Sequence, residues 1–144
     1  MGDSAETVAR NRELLSKITG PIQFMNQVHG DEVVEVKSIG DDPTCDALIT
    51  RAPGIALAVM VADCIPLLLS SSTVVGAVHV GRRGLMNSVA VKAVDAMRTL
   101  GADEIHAQLG PSICGRCYEV PQELADEVVA KHPVASSLTN KLTP

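Results

Sequence analysis

Apolar residues recur along the chain with two spacings, and each spacing predicts a different kind of element. A repeat of three to four residues is typical of one face of a helix. It occurs over residues 4–19, 85–100 and 122–131. Short apolar runs between Gly, Pro or polar residues predict strands. These runs cover residues 22–25, 32–37, 45–50, 55–61, 67–69, 74–80 and 104–109.

Four local signals refine the element boundaries. Asp3 and Glu6 predict a capping box before the first helix. Apolar residues continue at helical spacing from Leu85 to a stop at Gly101, which predicts one uninterrupted helix. Proline lacks the N–H that a sheet ladder needs, so residues 63–66, which contain Pro66, are expected to separate two strands. The strands on either side of residues 70–73 are expected to form a hairpin.

Length and charge limit the classes of function. The chain has 144 residues, the size of one domain, and 46% of its residues are hydrophobic. Its net charge of -5 and nearly complete lack of aromatic residues argue against a nucleic-acid partner. The longest uncharged run is too short and interrupted to cross a membrane, and no secretory signal opens the chain. We therefore expect a cytoplasmic protein without a nucleic-acid or membrane partner, whose four cysteines are reduced.

Three residues that commonly bind metals follow apolar strands. His29, Cys64 and His79 each leave a strand at a polar or Gly-containing turn, which suggests that they converge. Two imidazoles and one thiolate would leave a fourth tetrahedral position open, as in catalytic zinc sites. The alternative is that the histidines are structural and that Cys64 is a small buried apolar residue. Asp63 could orient a ligand, carry protons or cap the end of a strand.

Two further motifs could carry chemistry. Arg82 and Arg83 stand between glycines at the predicted start of a helix, a setting that favours anion binding over a simple solvated pair. Cys114 and Cys117 have the spacing of redox-active and metal-binding cysteines. The second pair lacks the strand followed by a helix that thioredoxin-like chemistry uses, so the sequence does not favour a redox role for it.

Several ordered motifs resemble the laccase-domain, multicopper polyphenol oxidoreductase-like family. The matching motifs are Asn11-Arg12, Gln27-Val28-His29-Gly30, Asp46-Ala47-Leu48-Ile49, Ala62-Asp63-Cys64 with Pro66, Ala77-Val78-His79 with Gly81, Arg83 and Gly84, Gly110-Pro111, and Cys117-Tyr118-Glu119-Val120. Members of this family are described as zinc-dependent purine nucleoside phosphorylases with adenosine deaminase activity. Older descriptions call them copper polyphenol oxidases, and some bacterial members are called peptidoglycan editing factors.

The resemblance implies a fold, a cofactor and a set of site residues. The implied fold is α/β (α+β), with mixed sheets and helices packed in layers. The implied metal is zinc, with copper as the alternative, held by His29, Cys64 and His79. The implied substrates are phosphate and the purine nucleosides adenosine, inosine, guanosine and methylthioadenosine. We expect catalytic roles for Cys64, Asp63 and Arg83, and substrate contacts from Gln27, Arg82 and Arg83.

The chain departs from the family pattern in two ways. Arg82 occupies the position of a Trp that is usual in the family, which could alter how the base or sugar packs. Family members also extend further at both ends, so residues 1–144 are expected to form a single partial domain. Missing strands would leave sheet edges and apolar faces uncovered. We therefore expect the chain to be marginally stable, to self-associate or to be weakly active alone.

Three functional hypotheses follow. The first is phosphorolysis of purine nucleosides, with phosphate near Arg83 assisted by Arg82, accompanied by deamination of adenosine with Asp63 as proton carrier. The second is copper-dependent oxidation of phenols, which suits the ligand types. Laccases need several coppers and many histidines for this reaction, whereas the chain has four histidines. The third is a truncated remnant that binds metal without catalysis.

Overall fold

The computed structural model describes residues 2–136. Six strands follow the first helix in succession, a seventh lies between the later helices, and the strands form two sheets. The elements are α1 (Ala5–Thr19), β1 (Ile22–Gln23), β2 (Val33–Glu35), β3 (Ala47–Thr50), β4 (Ala56–Leu57), β5 (Ile65–Ser70), β6 (Val75–Val80), α2 (Arg82–Met86), α3 (Val89–Thr99), β7 (His106–Leu109) and α4 (Gln122–Lys131). This layered mixture of helices and sheets confirms the expected fold class.

The five-stranded sheet forms the centre of the molecule. Its strand order is β2-β3-β6-β5-β7, with β2 parallel to β3 and the other pairs antiparallel. Alternate side chains of a strand point to opposite faces. Ile49, Leu67 and Val78 therefore belong to one face, where they form a core with Val89 and Met97 of α3. The helical repeat thus identified the buried face of α3 correctly.

The opposite face of the central sheet is covered only in part. A second core forms there around Met25 and Leu48, with Leu57 packed against it from the small parallel sheet of β1 and β4. His79 of β6 and Asp46, which precedes β3, also lie on this side of the sheet, by the same alternation. Layering therefore places polar residues beside an apolar core.

The helix expected over residues 85–100 is interrupted. Helix α2 ends at Met86, and α3 begins only at Val89. Ser88 between them adopts the left-handed backbone conformation, with φ of 63°. Residues other than Gly rarely adopt this conformation. Apolar spacing alone did not reveal this break, because Leu85 and Val89 keep helical spacing across it and both contact the same core.

The break expected over residues 63–66 is confirmed at Asp63 and Cys64 but is wrong at Ile65 and Pro66, which lie inside a strand. Strand β5 begins at Ile65 and runs between β6 and β7. On the β6 side Pro66 faces His79, whose N–H donates to the carbonyl of Asp46 and not to β5. On the other side the Pro66 carbonyl accepts from the N–H of Gly110, where β7 has already ended. The missing N–H therefore costs at most one hydrogen bond at the end of the ladder.

Smaller corrections concern the ends of elements. Ser4 caps α1 by accepting a hydrogen bond from the N–H of Thr7, so the expected capping box from Asp3 is wrong. The strand expected over residues 55–61 pairs only at Ala56 and Leu57. The boundaries expected for α4 and for the hairpin of β5 and β6 agree with the structure to within two residues. Residues 137–144 lie outside the described part of the chain.

Two helices lie at the periphery of this frame. No residue of α1 is buried, and the same is true of α4. Helix α1 contacts the body through the guanidinium of Arg12, which lies 3.9 Å from the centroid of the Phe24 ring and forms an ion pair with Asp42. Within residues 2–136, none of the helices has the length and apolar character needed to cross a membrane.

Candidate metal centre

The three expected metal ligands converge. One ligand atom from each of His29, Cys64 and His79 lies within 4.8 Å of the others. The Sγ atom of Cys64 is 3.7 Å from Nε2 of His29, and the two imidazole rings meet edge to face at 4.7 Å between centroids. Among the described residues this is the single group of three or more His, Cys, Asp or Glu side chains close enough to hold a metal ion.

A buried carboxylate orients His79. The side chains of Asp46 and His79 are 0% and 3% exposed, and Oδ1 of Asp46 lies 2.7 Å from Nδ1 of His79. An imidazole that donates from Nδ1 to a carboxylate presents its unprotonated Nε2 as a ligand, and such pairs raise ligand basicity. Asp46 therefore fixes both the ring position and the tautomer that metal binding needs.

The same carboxylate also shapes the turn that carries His29. The oxygens of Asp46 accept hydrogen bonds from the backbone N–H groups of Val28, His29 and Gly30, at 3.2, 2.9 and 2.7 Å. His29 has a left-handed backbone with φ of 59°. Such strain persists where surrounding interactions hold the residue in place. One side chain thus determines the positions of two candidate ligands that are 50 residues apart.

The ionisation of Asp46 reflects these contacts. Burial alone would raise the pKa of Asp46, since it removes water from the charged form. The hydrogen bonds from His79 and from the three backbone N–H groups outweigh burial, so the pKa of Asp46 lies below its ordinary value of 3.8. Asp46 is therefore ionised at neutral pH, and its negative charge favours a cation in the neighbouring cluster.

A glycine leaves room for the cluster. A Cβ atom at Gly81 would lie 2.7 Å from Cδ2 of His29 and 3.2 Å from Sγ of Cys64. No side chain fits at that position without moving a candidate ligand. Gly84 is similarly constrained, because a Cβ atom there would lie 3.2 Å from the carbonyl of Gly30. The two glycines that flank Arg82 and Arg83 thus allow close backbone approach to the turn containing His29.

Cys64 completes the donor set. It lies directly before β5, half-buried. Burial, together with the nearby carboxylates of Asp63 and Asp46, raises the pKa of the Cys64 thiol. A thiol must lose its proton to bind a metal, and a bound cation favours that loss. Around a tetrahedral ion, N and S ligands lie about 3.3–3.8 Å apart. The cluster needs only a small contraction to reach this spacing, so the donor set fits a metal ion.

The side chain of Gln27 forms hydrogen bonds with the backbone of Met60. Its side-chain N–H donates to the carbonyl of Met60 at 2.7 Å, and its oxygen accepts from the N–H of Met60 at 2.8 Å. These two bonds connect the segment leading to His29 with the segment leading to Cys64. A substrate contact from Gln27 would therefore have to use its second amide hydrogen or remaining lone pair.

A cavity of about 850 Å³ lies beside the cluster, between α4, the loop before it and the ends of the central strands. Cys64, Asp63 and Arg82 lie on its wall, and apolar residues of α4 such as Leu124 and Val128 face it. Its volume lies within the range of small-molecule sites. Asp63 is exposed, and its carboxylate makes no hydrogen bond to the other described residues.

The two expected anion-binding arginines differ in position. Arg82 lines the cavity and lies 3.6 Å from the carboxylate of Glu127 on α4. Arg83 is exposed, is not among the cavity-lining residues, and forms no ion pair within residues 2–136. Both start α2, which is five residues long and not the long helix that the sequence predicted. Its few peptide dipoles provide little attraction for an anion, so the guanidinium groups must provide most of it.

The role of Asp46 does not follow from its motif. Residues 46–49 resemble a family motif, but that resemblance assigns Asp46 no chemistry. A signal was present: an acidic residue stands directly between Cys45 and the apolar strand that follows it, and a buried charge needs partners. Its partners come from positions 28–30 and 79, and only the folded chain shows which polar groups meet there.

Comparison with known proteins places these features in a wider group. A family model described as multi-copper polyphenol oxidoreductase laccase matches residues 1–143. A Streptomyces coelicolor protein named purine nucleoside phosphorylase is 46% identical over 155 aligned residues, which cover 100% of this chain and 64% of the relative. A Streptomyces griseus protein with the same name is 43% identical over 156 residues, 100% of this chain and 63% of the relative. The chain thus spans just under two thirds of the length of these curated relatives.

Crystal structures of similar proteins have the same fold. A DUF152 protein from Neisseria meningitidis superposes with a TM-score of 0.84 at 36% identity, over 92% of this chain and 56% of that protein. YlmD from Geobacillus stearothermophilus superposes with a TM-score of 0.81 at 28% identity, over 95% of this chain and 58% of that protein. Both solved chains are longer than the one described here.

Proposed function

Since this chain belongs to the multi-copper polyphenol oxidoreductase laccase family, we propose that it carries a zinc-dependent site for phosphorolysis of purine nucleosides. The observation that carries the proposal is the convergence of His29, Cys64 and His79 beside a cavity of about 850 Å³. Two relatives that are 46% and 43% identical are named purine nucleoside phosphorylase, which supports the substrate class. The proposed substrates are adenosine, inosine, guanosine and methylthioadenosine, with inorganic phosphate.

The protein's own groups would act mainly by positioning the reactants. The apolar side chains of the cavity would pack against the purine, and Arg82 or Arg83 would bind phosphate. An oxygen of phosphate would attack the anomeric carbon of the ribose while the bond between that carbon and the purine nitrogen breaks. The purine would take up a proton as it leaves. Alignment of the two reactants and stabilisation of charge by guanidinium groups are the expected sources of catalysis.

We propose a second reaction at the same site, the hydrolytic deamination of adenosine. A divalent metal with an open position supplies Lewis acidity and lowers the pKa of water. Asp63 lies on the cavity wall next to Cys64 with an exposed carboxylate. That carboxylate would accept a proton from the attacking water and pass it to the amino group that leaves as ammonia.

Copper remains the alternative metal, because two imidazoles and a thiolate suit it as well. Oxidation of phenols at this site is the corresponding alternative function. It has less structural support, since the described residues contain one three-ligand cluster, whereas laccase chemistry uses several coppers. A metal-binding remnant without catalysis is the third possibility, given that the chain matches only part of its relatives.

The deciding experiment incubates the zinc-loaded chain with adenosine, with and without phosphate, and separates the products by chromatography. Phosphate-dependent adenine supports phosphorolysis, and inosine supports deamination. Oxidation of a phenol with oxygen uptake by the copper-loaded chain alone would favour the oxidase. No product from a folded, metal-loaded sample would favour the remnant.

Two variants identify the phosphate-binding side chain. We expect Arg82→Ala or Arg83→Ala to raise the KM for phosphate at least about tenfold, since a charged hydrogen bond contributes about 1.5–3 kcal/mol. Arg51→Ala removes an exposed guanidinium from the far end of β3 and is the matched control. If neither Arg82→Ala nor Arg83→Ala changes this KM, phosphate binds elsewhere.

A further inference from the structure

A second group of soft side chains lies at the rim of the same cavity. The Sγ atoms of Cys114 and Cys117 are 3.1 Å apart, and both residues are exposed. The residues between and beside them, Gly115 and Tyr118, line the cavity. The sequence alone did not favour a redox role for this pair. The observed contact favours such a role, because it places the two thiols side by side without thioredoxin-like architecture.

The pair is held by a local turn. The carbonyl of Cys114 accepts hydrogen bonds from the N–H of Cys117 at 2.9 Å and of Tyr118 at 3.1 Å. The N–H of Ile113, the residue before this turn, donates to the carbonyl of Asp63 at 3.1 Å. These bonds bring the two thiols together on the surface, where a small reagent can reach them.

From this arrangement we propose that Cys114 and Cys117 form a redox-active dithiol that closes to an intramolecular disulfide by exchange with low-molecular-weight disulfides. This inference is independent of the proposed nucleoside chemistry. Two donors without a third ligand among the described residues favour this role over a second metal site.

The exchange balances in two steps. The Cys114 thiolate attacks one sulfur of the small disulfide, so a mixed disulfide forms and one small thiol leaves with a proton. The Cys117 thiolate then attacks Sγ of Cys114, the mixed disulfide breaks, and the second small thiol leaves. The protein loses two thiol hydrogens and is oxidised, while one small disulfide is reduced to two thiols. Excess small thiol reverses both steps.

Cys114 is suited to be the attacking residue. The Cys117 thiol, and after it the Arg116 backbone, lower the pKa of Cys114 by hydrogen bonding to its thiolate. A thiolate is the reactive form in exchange. Cys45 is the contrasting case, because it is fully buried and burial raises its pKa to about 11. Oxidation should therefore select residues 114 and 117 over Cys45.

The test treats the full chain with oxidised glutathione, quenches with acid, alkylates the remaining thiols and maps each cysteine by mass spectrometry. We expect the chain to lose both alkylation sites at 114 and 117 without retaining glutathione. Cys117→Ser should instead retain glutathione on Cys114, because the resolving thiol is absent. A wild-type chain that stays glutathionylated at 114, or that reacts at neither position, would overturn the proposal.

A second measurement separates the effect of the folded turn on disulfide formation from the effect of the two-residue spacing alone. The equilibrium constant of the disulfide against glutathione is compared between native buffer and denaturant. If the fold brings the thiols together, the constant is larger in the native chain, by about threefold to tenfold. A ratio of one or below would show that the fold does not favour the disulfide and would overturn the proposal.

Discussion

The metal cluster and the cysteine pair lie beside the same cavity but are positioned by different parts of the molecule. His29, Cys64 and His79 come from segments up to 50 residues apart, and the buried Asp46 joins two of those segments. Cys114 and Cys117 are brought together by one turn of consecutive residues. The first site therefore depends on the tertiary core, whereas the second depends on local backbone geometry. Substitutions in the core should affect the two sites unequally.

The largest expected effect comes from removing a ligand. We expect His79→Ala to weaken zinc binding at least about 100-fold, since loss of even a supporting partner of a metal ligand costs 10–100-fold. Both proposed activities should be lost if one metal serves them. Competition with a chromophoric chelator measures the affinity. His106→Ala, an exposed histidine on edge strand β7, is the matched control, and equal affinity in the two variants would exclude His79 as a ligand.

Replacing the supporting carboxylate should have the next largest effect. Asp46→Asn removes the charge that holds His79 and the turn of His29. We expect zinc affinity to fall about 10–100-fold and the unfolding free energy to fall by about 3 kcal/mol, because buried donors lose a charged partner. Chelator competition and urea unfolding measure the two effects. The disulfide equilibrium of Cys114 and Cys117 should not change; a parallel loss there would contradict the separation of the two sites.

The contribution of Asp46 should also depend on pH. Its folded-state pKa lies below the ordinary value of 3.8, so its ionised form stabilises the fold above about pH 4. This stabilisation is lost as the pH falls through the folded-state pKa. The difference in unfolding free energy between the wild type and Asp46→Asn, measured with a chelator present, should therefore shrink below pH 4. A difference that grows with acidification would contradict the assigned direction.

A matched pair of valines compares packing in the core under α3 with packing of α4 beside the cavity. Val89 is 0% exposed in the core between α3 and the central sheet, whereas Val128 of α4 faces the cavity and is half-buried. We expect Val89→Ala to lower the unfolding free energy by about 2 kcal/mol and Val128→Ala by less than about 1 kcal/mol, since the second leaves little new void. Urea unfolding of both variants tests this. Equal losses would mean that α4 is packed as tightly as α3.

The smallest expected effect is a gain in stability at Ser88. Its left-handed backbone is strained for a residue with a Cβ atom, and its side chain makes no capping hydrogen bond. We expect Ser88→Gly to raise the unfolding free energy by about 0.5 kcal/mol. Ser88→Ala should change it little, because it keeps the Cβ atom and removes only an unbonded hydroxyl group. Thermal melts of both variants measure the difference, and a loss of stability in Ser88→Gly would show that the strain is absent.

Local sequence patterns predict most of the element types, the buried face of α3 and the three candidate ligands. Apolar spacing selects the buried face of a helix. The ligands are expected where strands end, but Cys64 lies directly before β5 and His79 lies inside β6, so pairing within the sheet decides how they meet. Local patterns mispredict the structure where tertiary contacts override local preference. Pro66 is tolerated inside β5 because it is the second residue of that strand, where a missing N–H costs at most one hydrogen bond at the end of the ladder. Helices α2 and α3 separate at Ser88 although the apolar spacing continues.

The interactions that hold the site together depend on the folded chain. Asp46 acquires its role because folding brings the N–H groups of residues 28–30 and the ring of His79 to one buried carboxylate. Gly81 is required because two ligand side chains pass where its Cβ atom would lie. Both effects depend on contacts between segments far apart in the chain. Spacing along the sequence cannot specify such contacts, because burial and hydrogen-bond partners are properties of the packed molecule.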